Sequence, residues 1–544
     1  MCVKWKSVKL LKINEIILVV SLFFCTFAHV MSKSIKFSEY QLGVFDALDN
    51  TQDNIAINAV AGSGKTTTIV EACKRIHCKE HDTIFLAFNK LIVNELKTKL
   101  KGVAEVSTLH AFGFQVLKKL FNMPEYRMYI KVDSWKYQKY VMNNVFSLSR
   151  LVLPTTENSK VYGFCRNVAK IYSLARVNLV KHGETEKLRE LCDNHNIITF
   201  FDEIEVCDIL LADAYKMPKD MVIDYTDMIV LPLTYCEGIP SYKYVFIDEC
   251  QDLNRAQREL MLHAARRGRF IAVGDRNQAI NGFAGADCNS FDKIATQKNT
   301  IELPLSVNYR CGTEMLKLAQ EIVPNIQACD NAIEGKVDHI KKLKKNLFKG
   351  NDMVLCRTSA PLVGMCMKLI ESGVTAIVKG KDIGQDLLNL VENANTSSIE
   401  SVLKYLANEK EKCIATLKAE RKCDEETAKH SVRYINLEDR CKCIENICTH
   451  SIKDVCELKT FIEAIFSDEN IDNAVMLSTV HKSKGLEADR VFILLPEKLP
   501  LIFPKQLSWQ LKQEMNLKYV ALTRAKKELI FVDLTEKELM KSVL

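Results

Sequence analysis

An apolar run, NIAINAV (54–60), passes directly into AGSGKTTT (61–68). That order leaves little structural choice. A short β-branched run bounded by a turn reads as a buried strand. Gly62 and Gly64 let the backbone curl at its end, and Lys65 opens a helix. Backbone N–H groups gathered at a helix amino terminus make a seat for an anion. Residues Ala61, Gly62, Ser63, Gly64, Lys65, Thr66 and Thr67 form the expected phosphate cradle. Lys65 would reach the β and γ phosphates of ATP, and Thr66 would bind Mg2+. Ala59 stands where such loops usually carry their first glycine.

A second apolar run, YVFIDECQD (244–252), delivers Asp248 and Glu249 at its carboxyl end. Ligands of an open parallel sheet bind at that edge. Asp248 is therefore expected to hold magnesium and Glu249 to position and deprotonate water. Taken singly, an Asp-Glu pair is an ordinary strand end; after a phosphate loop, in this order, it is the other half of a nucleotide site.

Further runs, TIFLAF and FIAVGD, complete a first α/β block, interrupted by helical, polar sequence. A second block follows with LPLSVNYR, DMVLCRT, AVMLSTVHKSKGLEADRVFILL and ELIFVDL. The expected division is a first core at 31–115 and 219–302 with a helical insert at 116–218. The second core takes 303–381 and 474–544, with its insert at 382–473. A chain of 544 residues exceeds one hydrophobic core. The lysine- and glutamate-rich stretch EKEKCIATLKAERK reads as a solvated helix face.

The net charge of +7 is too small for this length to indicate nucleic acid by itself. Twenty cysteines scattered singly fit free thiols in a reducing compartment better than a disulfide framework. The cluster Cys441, Cys443, Cys448, His450 and Cys456 lacks a Cys-x-x-Cys pair and reads as a helix, which argues against zinc or iron–sulfur. Residues 1–30 look like a signal peptide, a basic segment before IILVVSLFFCTFA (16–28). The nucleotide motifs favour an intracellular protein, nuclear or cytoplasmic, with Met31 as its working start or the extension dispensable. No stable membrane partner is expected.

The ordered set AGSGKTTT, DECQD, VGDRNQAINGFAGAD, LPLSVNYR, STVHKSKGLEADRVF and NLKYVALTRAKK resembles the UvrD/Rep-like DNA helicases of superfamily 1. LAFNK and the residues before YVALTRA look closer to the F-box-helicase-like and phage branches. Ala59 is ordinary in that family. The resemblance implies an α/β protein of two tandem RecA-like P-loop cores with parallel sheets, each interrupted by a helical insert. It implies that Gln41 reads the adenine edge and Tyr309 stacks on the base. Gln278, beside Asp275, would sense the γ phosphate. Arg310 and Arg524 would be arginine fingers from the second core, and Glu487 would lie near the ribose.

The same resemblance implies a single-stranded DNA track over both cores. Its candidate contacts are Phe88, Asn89, Thr108, His110, Phe112, Phe283, Thr479, His481 and Lys484, several of which would serve equally well as core residues. Asn281 stands where much of the family has tyrosine, and Ala284 where many members have arginine. The expected activity is an ATP-dependent 3′–5′ helicase or translocase acting on single-stranded and tailed duplex DNA. The loader or repair partners and the pathway, replication, recombination or repair, are left open. The rivals are a DNA-stimulated ATPase that strips proteins without unwinding, and a non-enzymatic P-loop scaffold.

Overall fold

Neighbouring residues of the apolar runs point to opposite faces of two parallel sheets, so each run is buried on both sides. The computed structural model describes residues 36–541 apart from 121–129, 149–157, 196, 198, 200–201, 216–220, 283–286, 288, 345, 422, 451, 469–470 and 504–505. The extension at 1–30, Met31, Phe283 and Ala284 lie outside the described residues.

In chain order the strands are β1 (Asn54–Ala59), β2 (Thr83–Ala87), β3 (Glu105–Thr108), β4 (Lys131–Val132), β5 (Val222–Ile223), β6 (Tyr244–Ile247), β7 (Arg269–Gly274) and β8 (Thr300–Leu305). They continue with β9 (Val307–Asn308), β10 (Gln327–Ala328), β11 (Lys336–Ile340), β12 (Met353–Cys356), β13 (Ala376–Val378), β14 (Val475–Thr479), β15 (Ala488–Leu494) and β16 (Ala525–Val532).

The first sheet has the order β3-β2-β6-β7-β1-β8, and its strand pairs are parallel. The second has the order β11-β16-β15-β12-β14-β13, again parallel. Parallel pairing demands long crossovers, and helices supply them over both faces. Alternation along the strands sorts the core. Ala56, Leu86, Val245 and Ala272 pack on one side of the first sheet, while Ile57, Phe85, Phe246 and Val273 pack on the other. The second sheet divides Val354, Leu477 and Phe492 from Leu355, Ile493 and Leu529 in the same way. β8 pairs with β1 through Leu305, so the first sheet reaches past the edge expected at 302. Parallel strands put the loops after β1, β6 and β7 on one edge, where the candidate site lies.

The first insert is helical, with Lys136–Leu148, Asn158–Val177, Thr185–Asn194 and Glu203–Leu211 around Phe164, Ile171 and Leu188. An ionic cluster helps tie it to the core. Buried Arg176 pairs with Asp227, and with Asp224 at 3.3 Å. Lys136 and the Tyr137 hydroxyl also reach Asp227, each at 3.0 Å. The Asp224 and Asp227 carboxylates accept each other's backbone N–H groups. The segment DYTDMI thus re-enters the core through the helix Asp227–Thr234, whose Ile229 and Val230 join the sheet-packing cluster.

The second insert comprises Lys381–Asn393, Ile399–Arg421, Val432–Cys448 and Val455–Ile465. Asp439 accepts the backbone N–H groups of Ser359 and Ala360, at 2.8 Å each, and so caps the core helix Ala360–Glu371 from outside. Cys441 and Cys443 are buried in the apolar cluster beneath it. Among the described residues no group of three or more His, Cys, Asp or Glu is placed to hold a metal ion. Among them, too, no helix is long and apolar enough to cross a membrane.

Removing one partner from a buried ion pair strands the other, at about 3–5 kcal/mol. Asp227→Ala should therefore destabilise the first core by that order, read as a lowered denaturant midpoint.

Candidate functional site

The loop after β1 is shaped by two left-handed glycines. Gly62 has φ +66° and Gly64 φ +76°, and Gly64 caps the helix Lys65–Arg75. The Thr68 hydroxyl donates to the Gly64 carbonyl at 3.0 Å and accepts from the Gln41 amide at 2.8 Å. Thr67 faces outward. The Ser63 hydroxyl is buried and has no hydrogen-bond partner among the described residues, an arrangement costing about 1–3 kcal/mol unless something accepts from it. An anion in the curl would do so.

The loops after β6 and β7 set carboxylates against that curl. The Thr66 hydroxyl donates to Asp248 at 3.1 Å. Burial, then the neighbouring charge of Glu249, push the Asp248 carboxyl well above its ordinary range despite Lys65. Burial also acts to raise Glu249, but Lys65 and Lys484, the Gln251 hydrogen bond and Arg524 outweigh it and hold that carboxyl low. A hydroxyl beside a buried carboxylate that lacks compensating charge fits a divalent cation. Glu249 adopts φ +54°, a backbone strain that is uncommon outside glycine. Gln278 is buried and donates to Asp275 at 2.9 Å.

The opposite wall comes from the second core. The Ala61 N–H donates to the Tyr519 hydroxyl at 2.9 Å, the Asn308 amide donates to the Ala61 carbonyl at 2.7 Å, and the Tyr309 N–H donates to the Gly62 carbonyl at 2.9 Å. Arg310 follows at once. A Cβ on Gly62 would lie 2.9 Å from the Arg310 Cβ and 2.6 Å from the Asn308 amide nitrogen. The Arg310 guanidinium pairs with Glu487 at 2.5 Å, and Lys526 holds the same carboxylate at 2.7 Å. Arg524 is buried, and donates to the carbonyls of Val520 (2.9 Å) and Leu486 (3.0 Å) and to the Thr523 hydroxyl (3.2 Å). Burial, and then the like charge of Arg310, pull its pKa down to about 10. Gln41 uses its carbonyl oxygen on the Ser38 N–H and receives the Tyr309 hydroxyl at 3.4 Å, while the Tyr309 ring is 45% exposed.

The expected track residues separate into groups. Phe88 is 45% exposed beside β2, and Asn89 caps the next helix by accepting from Ile92. Thr108 accepts from Ala111, and the His110 ring meets Tyr225 edge-on at 6.3 Å. Tyr225, in the segment that re-enters the first core, is exposed beside it, and nothing local in the sequence singles it out. Phe112 is a core residue packed near Tyr242. Thr479 is buried, and burial, aided by Arg357 and Lys482, takes His481 down to about 3, leaving its imidazole neutral at pH 7. Lys484 turns towards the first core. Its ammonium donates to Asp252 and to the Gln278 carbonyl inside the seam between the cores. Asn281 likewise turns inward, donating to Asp252 at 3.1 Å.

A phosphate-type loop gripped between two parallel-sheet cores, with arginines arriving from the far side, defines a tandem RecA-like P-loop protein. Residues 44–299 match the UvrD/REP helicase N-terminal domain, and 336–536 match the UvrD-like helicase C-terminal domain. The chain belongs to the UvrD/Rep-like family of superfamily 1 helicases. It is 23% identical over 303 residues to the ATP-dependent DNA helicase PcrA of Staphylococcus aureus, covering 52% of this chain and 39% of that protein. It is 25% identical over 288 residues to the ATP-dependent DNA helicase Rep of Buchnera aphidicola, covering 49% of this chain and 40% of that protein. The F-box DNA helicase protein 1 of Schizosaccharomyces pombe is 22% identical over 516 residues, covering 89% of this chain and 56% of the yeast protein. The chain thus spans only part of the length of each of these relatives.

Gly62→Ala would place a side chain on a left-handed backbone, at about 1–2 kcal/mol, and against the second core as well. A loss of about 5- to 30-fold in affinity for a fluorescent ATP analogue is expected. Unchanged affinity would show that the second core does not need this close approach.

Proposed function

We propose that this protein is an ATP-dependent DNA helicase or translocase that moves 3′ to 5′ on single-stranded DNA. The observation that carries the reading is the seam itself: Arg310 and Arg524, from the second core, stand with Lys65, Asp248 and Glu249 around one loop. In this reading the loop N–H groups and Lys65 bind the phosphates, and the Ser63 hydroxyl accompanies them. Thr66 and Asp248 would hold magnesium, which neutralises charge on the phosphates. Glu249 accepts a proton from the attacking water, and Gln278 orients that water. Tyr309 and Gln41 are the base-side residues, and Glu487 fixes Arg310 by ion pairing. The inserts are taken as 116–218 and 382–473.

Hydrogen bonds to charged groups are worth about 1.5–3 kcal/mol each. Two arginines on a γ phosphate therefore supply about 3–6 kcal/mol, and reversing a 1:99 equilibrium takes about 5.5. That is enough to couple cleft closure to the fuel. Phe88, Asn89, Thr108, His110, Phe283, Thr479 and His481 are the proposed DNA contacts. Each base-pair step opened costs about 1.4 kcal/mol.

Lys65→Ala should abolish ATP turnover. Glu249→Gln should retain ATP binding while turnover falls by about 10²–10⁴-fold, as for the loss of a general base. Strand displacement on a 3′-tailed duplex tests the helicase reading directly. Brisk DNA-stimulated hydrolysis without displaced strand favours a translocase that clears proteins, and no hydrolysis at all favours the scaffold. Arg524→Ala should lower turnover more than nucleotide affinity; equal losses in both would make Arg524 structural.

A further inference from the structure

Asp252 is buried, and three side chains converge on it. Lys484 reaches across from the second core, Asn281 donates at 3.1 Å, and the Gln251 amide lies 3.4 Å away. The same Gln251 amide donates to Glu249 at 2.5 Å, while its carbonyl oxygen accepts the Asp275 N–H at 3.0 Å. Asp275 in turn accepts the Gln278 amide, and the Gln278 backbone carbonyl accepts Lys484 at 2.8 Å. The bonds close a ring. It contains the proposed γ-phosphate sensor, the proposed base hangs from it through the Gln251 amide, and a single residue from the second core joins its two sides. Gly274 makes room for it, because a Cβ there would stand 2.5 Å from the Gln251 carbonyl oxygen and 2.8 Å from the Cys250 sulfur.

We infer that Lys484 and Asn281 are positioning residues for ATP hydrolysis, acting through Asp252 and Gln251 to aim Glu249, and are not contacts to the DNA strand. The ammonium makes both of its bonds to the first core and is largely enclosed. A phosphate could take it only by breaking a buried ion pair with Asp252. Asn281 gives its amide to the same carboxylate. At a position where much of the family carries tyrosine, this chain therefore has a residue committed to the nucleotide side of the seam. The chemistry favours the assignment: Gln251 has one amide group, and fixing Asp252 on one side fixes which way that amide, and hence the Glu249 carboxylate, can point. Opening the cleft withdraws Lys484 and releases the ring, so water activation is confined to the closed state.

The inference rests on the proposed ATPase reading, and one set of assays separates the two. Steady-state ATP turnover with saturating oligo-dT, the KM for ATP, and the affinity for a labelled oligo-dT by anisotropy are measured on the full chain. For Lys484→Ala the expectation is a kcat about 10- to 100-fold lower, the loss of one charged hydrogen-bonding partner. Affinity for the oligonucleotide should stay within about twofold. Lys484→Arg should recover part of the kcat, since it keeps the cation, which a folding defect would not explain. Asn281→Ala should lower kcat less. The double variant should fall no further than Lys484→Ala alone, because both act on Asp252. Weakened oligonucleotide binding with near-normal kcat in Lys484→Ala would overturn the inference and return the lysine to the DNA track. Fully additive losses in the double variant would overturn the shared route through Asp252. A wild-type protein that hydrolyses no ATP would sink the functional reading, and this inference with it.

Discussion

The loop that would hold the phosphates is not owned by one half of the molecule. Its Ala61 N–H, its Ala61 carbonyl and its Gly62 carbonyl are all bonded to second-core groups, Tyr519, Asn308 and the Tyr309 backbone. Ala61 and Tyr519 lie 458 positions apart. In most strand–turn–helix loops these backbone groups would face solvent or their own core. Here their satisfaction depends on the position of another domain. Parting the cores leaves three backbone groups to find water, and bringing the cores together restores them. The geometry of the loop is therefore tied to the state of the seam.

The same constraint governs the charges. Asp248, Glu249, Asp252 and Asp275 come from the first core, and Arg310, Lys484 and Arg524 come from the second. Buried ions of one sign are costly, and the pKa directions record it: Asp248 is pushed up and Arg524 pulled down. Lys484 compensates Asp252 directly. Arg524 forms no ion pair among the described residues and spends its donors on carbonyls and a hydroxyl. Carbonyls satisfy hydrogen-bonding capacity without cancelling charge, so this cation remains available to an anion.

Sequence legibility followed the range of the interactions. The shape of the loop after β1 was readable because a strand, two glycines and a helix start are neighbours within one short stretch. The division of each apolar run between two sheet faces was implicit in the length and β-branching of the runs, and the two parallel sheets follow from it. Lys484 was not readable. Its partner Asp252 is 232 positions away, and a lysine within STVHKSKGLE looks like a phosphate contact until the second core is docked on the first. Asn281 misleads for the same reason, since its departure from tyrosine reads as a loss of stacking while its amide is in use at Asp252. Phe112 is the opposite case: an aromatic two residues after His110 suggests a track, but the helix Leu109–Leu120 turns it into the core. Gln251 and Asp252 were visible in DECQD all along, without the geometric context that gives them a role.

The seam also explains why a few contacts can decide between two arrangements. Neutral hydrogen bonds across it, such as Gln513 to the Ile280 carbonyl and Asn516 to the Ala279 carbonyl, are worth only about 0.5–1.5 kcal/mol each net of solvent. The Arg310 and Arg524 guanidinium groups lie close to each other on the second core, with Arg524 enclosed, so a concentrated positive charge faces the loop of the first core. The hydrogen bonds across the seam are thus modest one by one, and two cations of the second core stand over the phosphate loop. A polyanion bound there would add attraction at both arginines at once, while leaving the hydrogen bonds as they were. Splitting that polyanion and releasing part of its charge would weaken that attraction. No long-range pathway through the sheets is needed, because the groups that feel the charge and the groups that hold the cores together sit on the same few residues, Asn308 to Arg310 and Tyr519 to Arg524.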